Sequence, residues 1–433
     1  MRTWAALIAF AIPTGMALAD EPAAKVGKPS PPLPVGVDTF VQFAVQKNPR
    51  LVRATLAIDA AKGRQVQAGL YPNPVLAVLA DELGDRTAKD GIFSAQVSQE
   101  IVLGRKLRLS QAVVAHEIDQ ATLALLAERY ALIGTVRANF YEVLALQRRA
   151  AILADVVKLA EAAAAQGQKN FDAKQVSRLD VIQLEVELER FRAEADAVER
   201  ELPAAYRRLA AVVGDPRLAI VPLAGSLEAE LPEYDQDKTR EVVLATHPEV
   251  RAAKVGIEKA QATYRRAEAE PIPNVTIVGG YVRQYETRSH DGRVGVSIPL
   301  PTFNRNQGNV SAALAEVGMA MQDVARAENV LAEQVATAFR TYSGSKQRAE
   351  RYRTAIVPRA AETYRLSIEG FKGGQFEYLR VLQAQRAVAE ARLEFNKSLG
   401  EAWRAAGEIS GYLLEESWPA IIPPKTERRA EPR

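Results

Sequence analysis

A proline pair interrupts the sequence twice, each time between a helical pattern and an alternating, strand-like pattern. The first pair is Pro72 and Pro74, and the second pair, Pro271 and Pro273, lies 199 residues further along. Proline lacks the amide hydrogen that a helix needs, and it pushes the preceding residue toward extended geometry. Each pair therefore predicts a sharp switch from helix to strand, and their recurrence in register predicts a wider repeat.

The repeat extends over most of the chain. The segment "NPRLVRA" at Asn48 recurs 199 residues later as "HPEVRAA", and Phe140 corresponds to Phe339 at the same offset. From Asn170 onward the offset is 200, because the second copy contains one inserted residue, and "NFDAKQVSRLDVIQ" then matches "GFKGGQFEYLRVLQ". The sequence therefore consists of two copies of one unit, each predicted as helix, strand, strand, long helix, turn and helix.

The repeat also defines the predicted domain organisation. We predict a signal peptide over residues 1–19, a Pro-rich linker over 20–36, a first repeat over 37–235, a second repeat over 236–412 and a flexible Pro-rich tail over 413–433. In the first repeat we expect a helix, then a β-hairpin at 72–104, long helices at 105–202 and an equatorial segment at 203–235. In the second repeat we expect a helix, then a β-hairpin at 271–301 and long helices at 305–402.

The N-terminus has the pattern of an export signal. Arg2 is followed by an apolar run from Trp4 to Leu18, which ends in the small-x-small cleavage pattern Ala17-Leu18-Ala19. No later stretch approaches the roughly 18 apolar residues of a spanning helix. If the exported chain crosses a membrane, we expect it to do so with strands.

The composition argues against several classes of function. The net charge is +3 with 25% charged residues, so no nucleic-acid surface is indicated. The chain has no cysteine, which excludes disulfides, thiolate metal sites and cysteine lipidation. Its three histidines, His116, His247 and His290, lack ligand spacing, so we predict no metal site. His247, beside Pro248 at a helix start, is expected to be solvated.

No pattern indicates catalysis or a cofactor. Acidic and basic residues alternate along helix faces, as in "EVELERFRAEADAVERE", where ion pairs within the helix account for them. The glycine-rich "IEGFKGGQF" lacks the lysine-serine ending of a phosphate-binding loop and does not follow a strand. It is predicted to be a turn between helices, and we expect neither catalytic nor cofactor-binding residues.

The predicted helices are unusually long. No proline lies between Arg105 and Gln168, which allows roughly 95 Å of continuous helix. After the turn, steps of three and four residues continue up to Pro203, through Val181, Leu184, Leu188, Phe191, Ala195, Val198 and Leu202. This heptad spacing, repeated from Val381 to Ala402, favours coiled-coil packing of antiparallel helices. The alternative is an ordinary amphipathic helix on a globular core.

The predicted strands alternate between apolar and polar residues. Apolar Phe93, Ala95 and Val97 alternate with Ser94, Gln96 and Ser98, and the same alternation holds for Val294, Val296 and Ile298 against Arg293, Gly295 and Ser297. Strands of about 9 to 12 residues suit a tilted crossing of a bilayer. Four strands cannot close a barrel, so several chains would have to complete one. A small soluble sheet covered by helices is the alternative.

Three segments carry a resemblance to a known family. "VSIPLPTFNRNQGNV", "SQEIVLGRKLR" and "RLDVIQLE" resemble TolC-type outer-membrane efflux channels, particularly the cation-efflux, CzcC-like subgroup, and the resemblance covers residues 37–412. It implies an α+β membrane protein, a homotrimer in which a long antiparallel coiled-coil helical barrel joins a twelve-stranded transmembrane β-barrel, four strands per chain. The chain departs from the family in lacking a lipidated cysteine and in carrying Arg380 and Gln383 where some members have aspartates.

The resemblance also implies a function. The protein would be a passive duct that exports divalent heavy-metal cations or drugs from the periplasm or an inner-membrane pump to the exterior. Its partners would be further copies of itself, a periplasmic adaptor (membrane fusion) protein, a proton-driven inner-membrane pump of the RND type and outer-membrane lipid, with no nucleic acid. The alternative is a periplasmic coiled-coil adaptor or scaffold without a pore.

The predicted site residues lie at the helix turns and at the proline breaks. We hypothesise a periplasmic gate in which Asp180 pairs with Arg380, helped by Arg178 and Tyr378; the alternative is that these are solvated charges at helix starts. The resemblance implies adaptor contacts at the turns, at Phe171, Gln175, Phe371, Gly373, Gly374 and Gln375. The switches between rod and strand are expected at Pro72, Pro74, Pro271, Pro273, Pro299 and Pro301.

Overall fold

The computed structural model describes residues 35–82, 91–218, 220–375 and 377–418. The predicted signal peptide, most of the predicted linker and the predicted tail from residue 419 onward lie outside the described residues. None of the described helices is both long and apolar enough to cross a membrane.

The described elements repeat in the order that the duplication predicts. The helices are α1 Val37–Lys47, α2 Pro49–Ala68, α3 Lys106–Asp172, α4 Arg178–Val213, α5 Gln236–Thr246, α6 Pro248–Glu268, α7 Gln307–Arg351, α8 Val357–Lys372 and α9 Tyr378–Tyr412. The strands are β1 Val75–Asp81, β2 Ile92–Ile101, β3 Val275–Gln284 and β4 Ser289–Ser297. Each repeat therefore contributes two short helices, a β-hairpin and a long helical hairpin.

The four strands form one antiparallel sheet in the order β1-β2-β3-β4. The repeats join at the β2–β3 pair, which runs from Ile92 opposite Gln284 to Ile101 opposite Val275. Cross-strand partners lie on the same face of a sheet. The register therefore places most of the apolar side chains of the alternating pattern on one face, formed by Leu76, Val78, Phe93, Ala95, Val97, Ile277, Tyr281, Val294 and Val296. The opposite, polar face carries Asp81, Ser94, Gln96, Ser98, Glu100, Thr276, Gln284, Asp291, Arg293 and Ser297.

The second short helix of each repeat, α2 or α6, begins after a capping residue at the same repeat position. The Asn48 Oδ1 accepts a hydrogen bond from the Arg50 amide at 2.8 Å, and the His247 Nδ1 accepts one from the Glu249 amide at 3.4 Å. His247 is only 5% exposed, and burial lowers its pKa to about 4. The expectation of a solvated His247 was wrong, because α6 begins beside buried Val250, inside the packed core.

The predicted helix boundaries at residues 202 and 402 were also wrong. Helix α4 passes through Pro203 and continues to Val213, so the equatorial segment begins later than residue 203. A proline inside a helix costs about 3 kcal/mol, but this last part of α4 buries Leu209 and Val213, each worth about 1.5–3 kcal/mol. In the second repeat, fully buried Trp403 and Ile409 stabilise the corresponding extension of α9.

The main core lies where α9 packs against α3 and α7, and residues of the segment between α4 and α5 complete it. The Tyr141 ring stacks on Trp403 with centroids 4.7 Å apart, and Trp403 Nε1 donates a hydrogen bond to the Leu227 carbonyl at 2.9 Å. The backbones of α3 and α9 approach closely where both have a glycine, since a Cβ on Gly134 would lie only 3.1 Å from the Gly407 carbonyl oxygen. Residues far apart in sequence therefore form one continuous core.

Residues 413–418, here called the C-terminal strap, are packed rather than flexible. The guanidinium of fully buried Arg137 donates hydrogen bonds to the Glu415 and Glu416 carbonyls at 2.9 and 3.1 Å and lies 4.6 Å from the Trp418 ring centroid. Trp418 Nε1 donates a hydrogen bond to the Tyr141 hydroxyl at 2.9 Å. The predicted flexible tail was therefore wrong for these residues, because α3 provides a buried cation that binds the strap carbonyls.

A π-helix, Tyr352–Ile356, separates α7 from α8. It lies within the interval where the repeat offset changes from 199 to 200, between Phe339 and Gly370. One inserted residue would rotate the rest of an α-helix by about 100°, whereas a wider π-turn accommodates the extra residue locally. Pro358, which cannot donate a helical hydrogen bond, follows immediately. The π-helix therefore absorbs the insertion before the turn is reached.

Candidate functional site: helix turns and rod-to-strand junction

The two turns at the ends of the long helices have the same backbone structure. We call residues 170–177 the first tip and residues 370–377, described except for residue 376, the second tip. The first tip has amide-to-carbonyl bonds Ala173 to Lys169, Lys174 to Phe171 and Gln175 to Asn170, at 3.0, 2.8 and 2.8 Å. The second has Gly373 to Glu369, Gly374 to Phe371 and Gln375 to Gly370, at 3.0, 3.0 and 2.8 Å. These bonds close both helices in the same way.

The tips differ at the left-handed backbone position. Lys174 has a φ of 57° and its counterpart Gly374 a φ of 70°. Glycine adopts this conformation without a steric penalty, whereas a residue with a Cβ loses about 1–2 kcal/mol. The first tip therefore carries backbone strain that the second tip lacks.

The tips also differ at the start of the returning helix. In the first tip, Ser177 and Asp180 form a capping box: the Asp180 amide donates to Ser177 Oγ at 3.2 Å, and the Ser177 amide donates to Asp180 Oδ2 at 2.9 Å. In the second tip, Glu377 makes no capping side-chain bond, and Arg380 stands where Asp180 does in the first. The acidic half of the hypothesised latch is therefore already engaged in its own helix start.

The predicted helpers of the gate contact the predicted adaptor-contact phenylalanines. The Arg178 guanidinium lies 5.9 Å from the Phe171 ring centroid. At the equivalent place the Tyr378 ring packs edge-on against Phe371, with centroids 5.1 Å apart, and burial raises the pKa of Tyr378. Each tip is thus held by one contact across its own turn, and the pairing of Asp180 with Arg380 stays a prediction.

The two helical hairpins lie side by side near the tips. Arg190 of α4 lies 3.7 Å from Glu390 of α9, and Arg386 of α9 lies 3.9 Å from Glu187 of α4. Beneath these ion pairs is a small apolar cluster formed by Val156, Ala160, Leu188, Phe191 and Ala389. These contacts lie within about four helical turns of the tips. Both tips are therefore at the same end of the molecule, away from the sheet.

The proline breaks lie at the opposite end of the rods. Pro72 and Pro74 lie between α2 and β1, Pro271 and Pro273 between α6 and β3, and, on the return from strand to helix, Pro299 and Pro301 between β4 and α7. Buried Lys106 at the start of α3 donates to Asn274 Oδ1 at 3.1 Å, and Asn274 Nδ2 donates to Glu100 Oε1 at 2.7 Å. These bonds tie the rod of the first repeat to a strand of each repeat.

The described residues contain no group of three or more His, Cys, Asp or Glu side chains placed to hold a metal ion. His116 lies 3.4 Å from Glu258 at the contact between α3 and α6, and His290 contacts the Tyr281 hydroxyl in the sheet. Both lie apart from His247, which caps α6.

Comparison with known proteins agrees with this architecture. Residues 240–410 match the family model described as outer membrane efflux protein. The chain is 28% identical over 386 residues to the cobalt-zinc-cadmium resistance protein CzcC of Cupriavidus metallidurans, covering 88% of this chain and 90% of that protein. Two solved structures, CusC and VceC of Vibrio cholerae, are each 17% identical, with TM-scores of 0.76 and 0.71; the matches cover 87% of this chain and 91% and 95% of those chains.

The long helical rods, the duplicated tips and the small antiparallel sheet have the fold of these solved channel structures. The chain is similar to the TolC-type outer-membrane efflux channels, and the resemblance predicted from its sequence is confirmed. These comparisons support an efflux channel of the outer membrane whose helical part lies in the periplasm. A periplasmic adaptor without a pore is not favoured.

Proposed function

We propose that this chain is the outer-membrane duct of a tripartite efflux system and that it works as a homotrimer. The observation that carries the proposal is the two-faced sheet, whose apolar face exposes Leu76, Val97 and Val294 by 69, 49 and 86%. In lipid, the unpaired edges of β1 and β4 would leave backbone groups without partners. Three copies supply twelve strands and pair each β4 with the β1 of its neighbour.

Divalent heavy-metal cations are the proposed cargo, with drugs as the alternative class. Similarity to CzcC, named for cobalt, zinc and cadmium resistance, supports the metal cargo over 88% of the chain. The polar face of the sheet carries three carboxylates, Asp81, Glu100 and Asp291, and one cation, Arg293. An excess of carboxylates along a pore favours the passage of cations. A periplasmic adaptor and a proton-driven inner-membrane pump of the RND type would deliver the cargo.

The duct can be tested with two neighbouring substitutions on β2. Val97→Arg places a charge on the apolar face, where a charged side chain in lipid costs about 2–4 kcal/mol, and Gln96→Arg places the same charge on the polar face. We expect only Val97→Arg to abolish trimers on native mass spectrometry and recovery in the outer-membrane fraction. A stable monomer of the wild-type chain in detergent, with full strand content, would contradict the proposal.

The cargo is tested in cells that lack the chain. Re-expression should restore growth on cobalt, zinc or cadmium salts, and Gln96→Arg should restore it less well because it weakens the negative potential of the pore. Drug resistance restored without metal resistance would assign the duct to the alternative cargo.

For the gate, the proposal is that Asp180 and Arg380 pair between neighbouring hairpins and hold the tips inward. Arg380 is exposed and Asp180 is half-buried at the surface, so each copy is worth about 0–1 kcal/mol and is weakened by salt. Three copies would make a latch that an adaptor could open.

Planar-bilayer recordings test the latch. Arg380→Glu should raise single-channel conductance, and adding Asp180→Arg should partly restore closure. Arg326→Glu, an exposed charge reversal on α7, is the matched control. If Arg326→Glu acts like Arg380→Glu, or if Arg380→Glu leaves conductance and its salt dependence unchanged, the latch is elsewhere.

A further inference from the structure

The loop end of the apolar face carries a layer of aromatic and basic side chains. Phe93, Arg283 and His290 are cross-strand partners in one row, and they therefore lie side by side on this face. Tyr281 stands one row nearer the rods, and Tyr285 directly follows β3. We call these five residues the outer aromatic layer. Below it the apolar face carries no charged residue along the four described strands.

The outer aromatic layer is held together by ring contacts. The Arg283 guanidinium carbon lies 4.5 Å from the Tyr285 ring centroid, and Phe93 packs edge-on against Tyr285 at 5.5 Å. The Tyr281 hydroxyl contacts His290 Nδ1, with the two ring centroids 5.8 Å apart. The Arg283 side chain is therefore positioned on an aromatic face.

The Arg283 guanidinium favours an anionic ligand. Asp81 and Asp291, the carboxylates nearest in the sheet, lie on the opposite face by register, and Glu82, which directly follows β1, is exposed. Glu286 and Arg288 in the β3–β4 turn are both exposed and contribute one charge of each sign. A guanidinium stacked on a ring keeps its planar fork of N–H donors at the edge, which matches the oxygens of a phosphate.

We propose that the outer aromatic layer binds the phosphate group of an anionic lipid in the leaflet that surrounds the loop end of the sheet. The proposal rests on the proposed function, because it requires the apolar face to lie in lipid. Aromatic and basic side chains at the boundary of an apolar band are placed at the depth of lipid headgroups. Arg283 binds the phosphate oxygens, and the Tyr281–His290 pair provides polar groups beside them. In β1 the row of Phe93, Arg283 and His290 is occupied by Ala80, which is neither aromatic nor basic. Each chain therefore has one such site.

The test uses the full-length protein in detergent and native mass spectrometry of bound lipid. The probes are lipid A, which carries phosphate, its dephosphorylated form, and inorganic phosphate as a competitor. Arg283→Gln should weaken lipid A binding about tenfold or more, which corresponds to the loss of one charge-assisted contact. Arg293→Gln on the polar face of the same hairpin should leave it unchanged. Arg283→Lys, which keeps the charge but loses the planar fork, should bind with intermediate affinity.

Three results would overturn the lipid site. Equal weakening by Arg283→Gln and Arg293→Gln would indicate only general attraction to the hairpin. Equal binding of the dephosphorylated lipid would indicate an apolar contact without phosphate recognition. If inorganic phosphate, at the same concentration as lipid A, displaces the bound lipid A, the layer would be a site for free anions. Trimer content, read in the same spectra, identifies any variant that fails to fold, and Arg283→Lys then replaces Arg283→Gln in the comparison.

The lipid site and the proposed function can fail separately. A wild-type protein found in the outer membrane that shows no preference for the phosphorylated lipid would refute the lipid site and leave the duct in place. A protein that is absent from the outer membrane would refute the proposed function, whatever lipid it binds in detergent.

Discussion

Replacing Arg137 by methionine should release the C-terminal strap while leaving helix α3 intact. Arg137 donates three hydrogen bonds, to the Ser410 hydroxyl at 2.8 Å and to two strap carbonyls. Methionine keeps an unbranched apolar chain and a similar helix propensity, so the substitution removes the guanidinium with little effect on the helix.

The expected magnitude follows from two opposing terms. Hydrogen bonds to a charged donor contribute about 1.5–3 kcal/mol each, and the two that bind the strap are lost. The methionine variant no longer buries a charge, which otherwise costs several kcal/mol. We expect the hydrogen bonds to prevail and strap docking to weaken by about 3 kcal/mol, which is roughly a hundredfold change in its opening equilibrium.

Hydrogen exchange of the Glu415 amide measures this opening, because that amide donates to the Ser410 carbonyl at 3.0 Å. Arg137→Met should speed its exchange by roughly a hundredfold. Arg129→Met is the control on the same strap, since Arg129 makes an exposed ion pair with Glu416 at 2.9 Å. Such a pair is worth at most about 1 kcal/mol, so Arg129→Met should speed exchange of the Glu415 amide by at most about fivefold.

Unchanged exchange at Glu415 in Arg137→Met would refute this reasoning. It would mean that packing of Trp418 against Tyr141 and Trp403 alone holds the strap. An equal effect of Arg129→Met would likewise show that burial of the cation is not what matters.

Three further predictions concern the cap, the first tip and the π-helix. Burial lowers the folded pKa of His247 from 6.5 to about 4, so the unfolded state takes up the proton first and stability should fall by at most about 3 kcal/mol as pH drops through this interval. His247→Asn should remove that part of the pH dependence, measured by thermal unfolding, and identical slopes would contradict it. Lys174→Gly should stabilise the first tip by about 1 kcal/mol, seen as slower amide exchange at the turn, because it relieves left-handed strain; faster exchange would count against this. Deleting Ala355 together with Pro358→Ala should turn the π-helix into α-helix and preserve trimers. Deleting Asp155 in α3 should instead rotate the first tip by about 100° and abolish trimers, measured by native mass spectrometry. Equal trimer content of the two variants would show that the π-helix does not absorb the insertion.

Much of the fold was predictable because its signals are local. Proline pairs mark the change from helix to strand, alternation over two residues marks the strands, and the offset of 199 residues shows that both halves share one plan. The positions of the tips followed from the same offset. The capping box of Ser177 and Asp180 was missed, although the spacing of serine and aspartate three residues apart is visible in "SRLD".

The missed features depend on contacts between residues distant in sequence. Pro203 indicated a helix end, but burial of the residues after it outweighs the local cost. Arg137 reads as one more charge on a long helix, and its burial depends on strap residues more than 270 positions away. The burial of His247 likewise depends on packing that no local pattern reveals.

The packing of α3 against α6 and α9 has a consequence for how the chain folds. Helix α3 belongs to the first copy, and both of its partners belong to the second. The first copy therefore leaves the ribosome with the apolar surface of α3 uncovered, and the contacts that bury it have high sequence separation and form late. Although the duplication gives the halves the same plan, neither half is a folding unit. Either copy produced alone should aggregate even in detergent, and the two should stay in detergent solution only when they are co-expressed or joined.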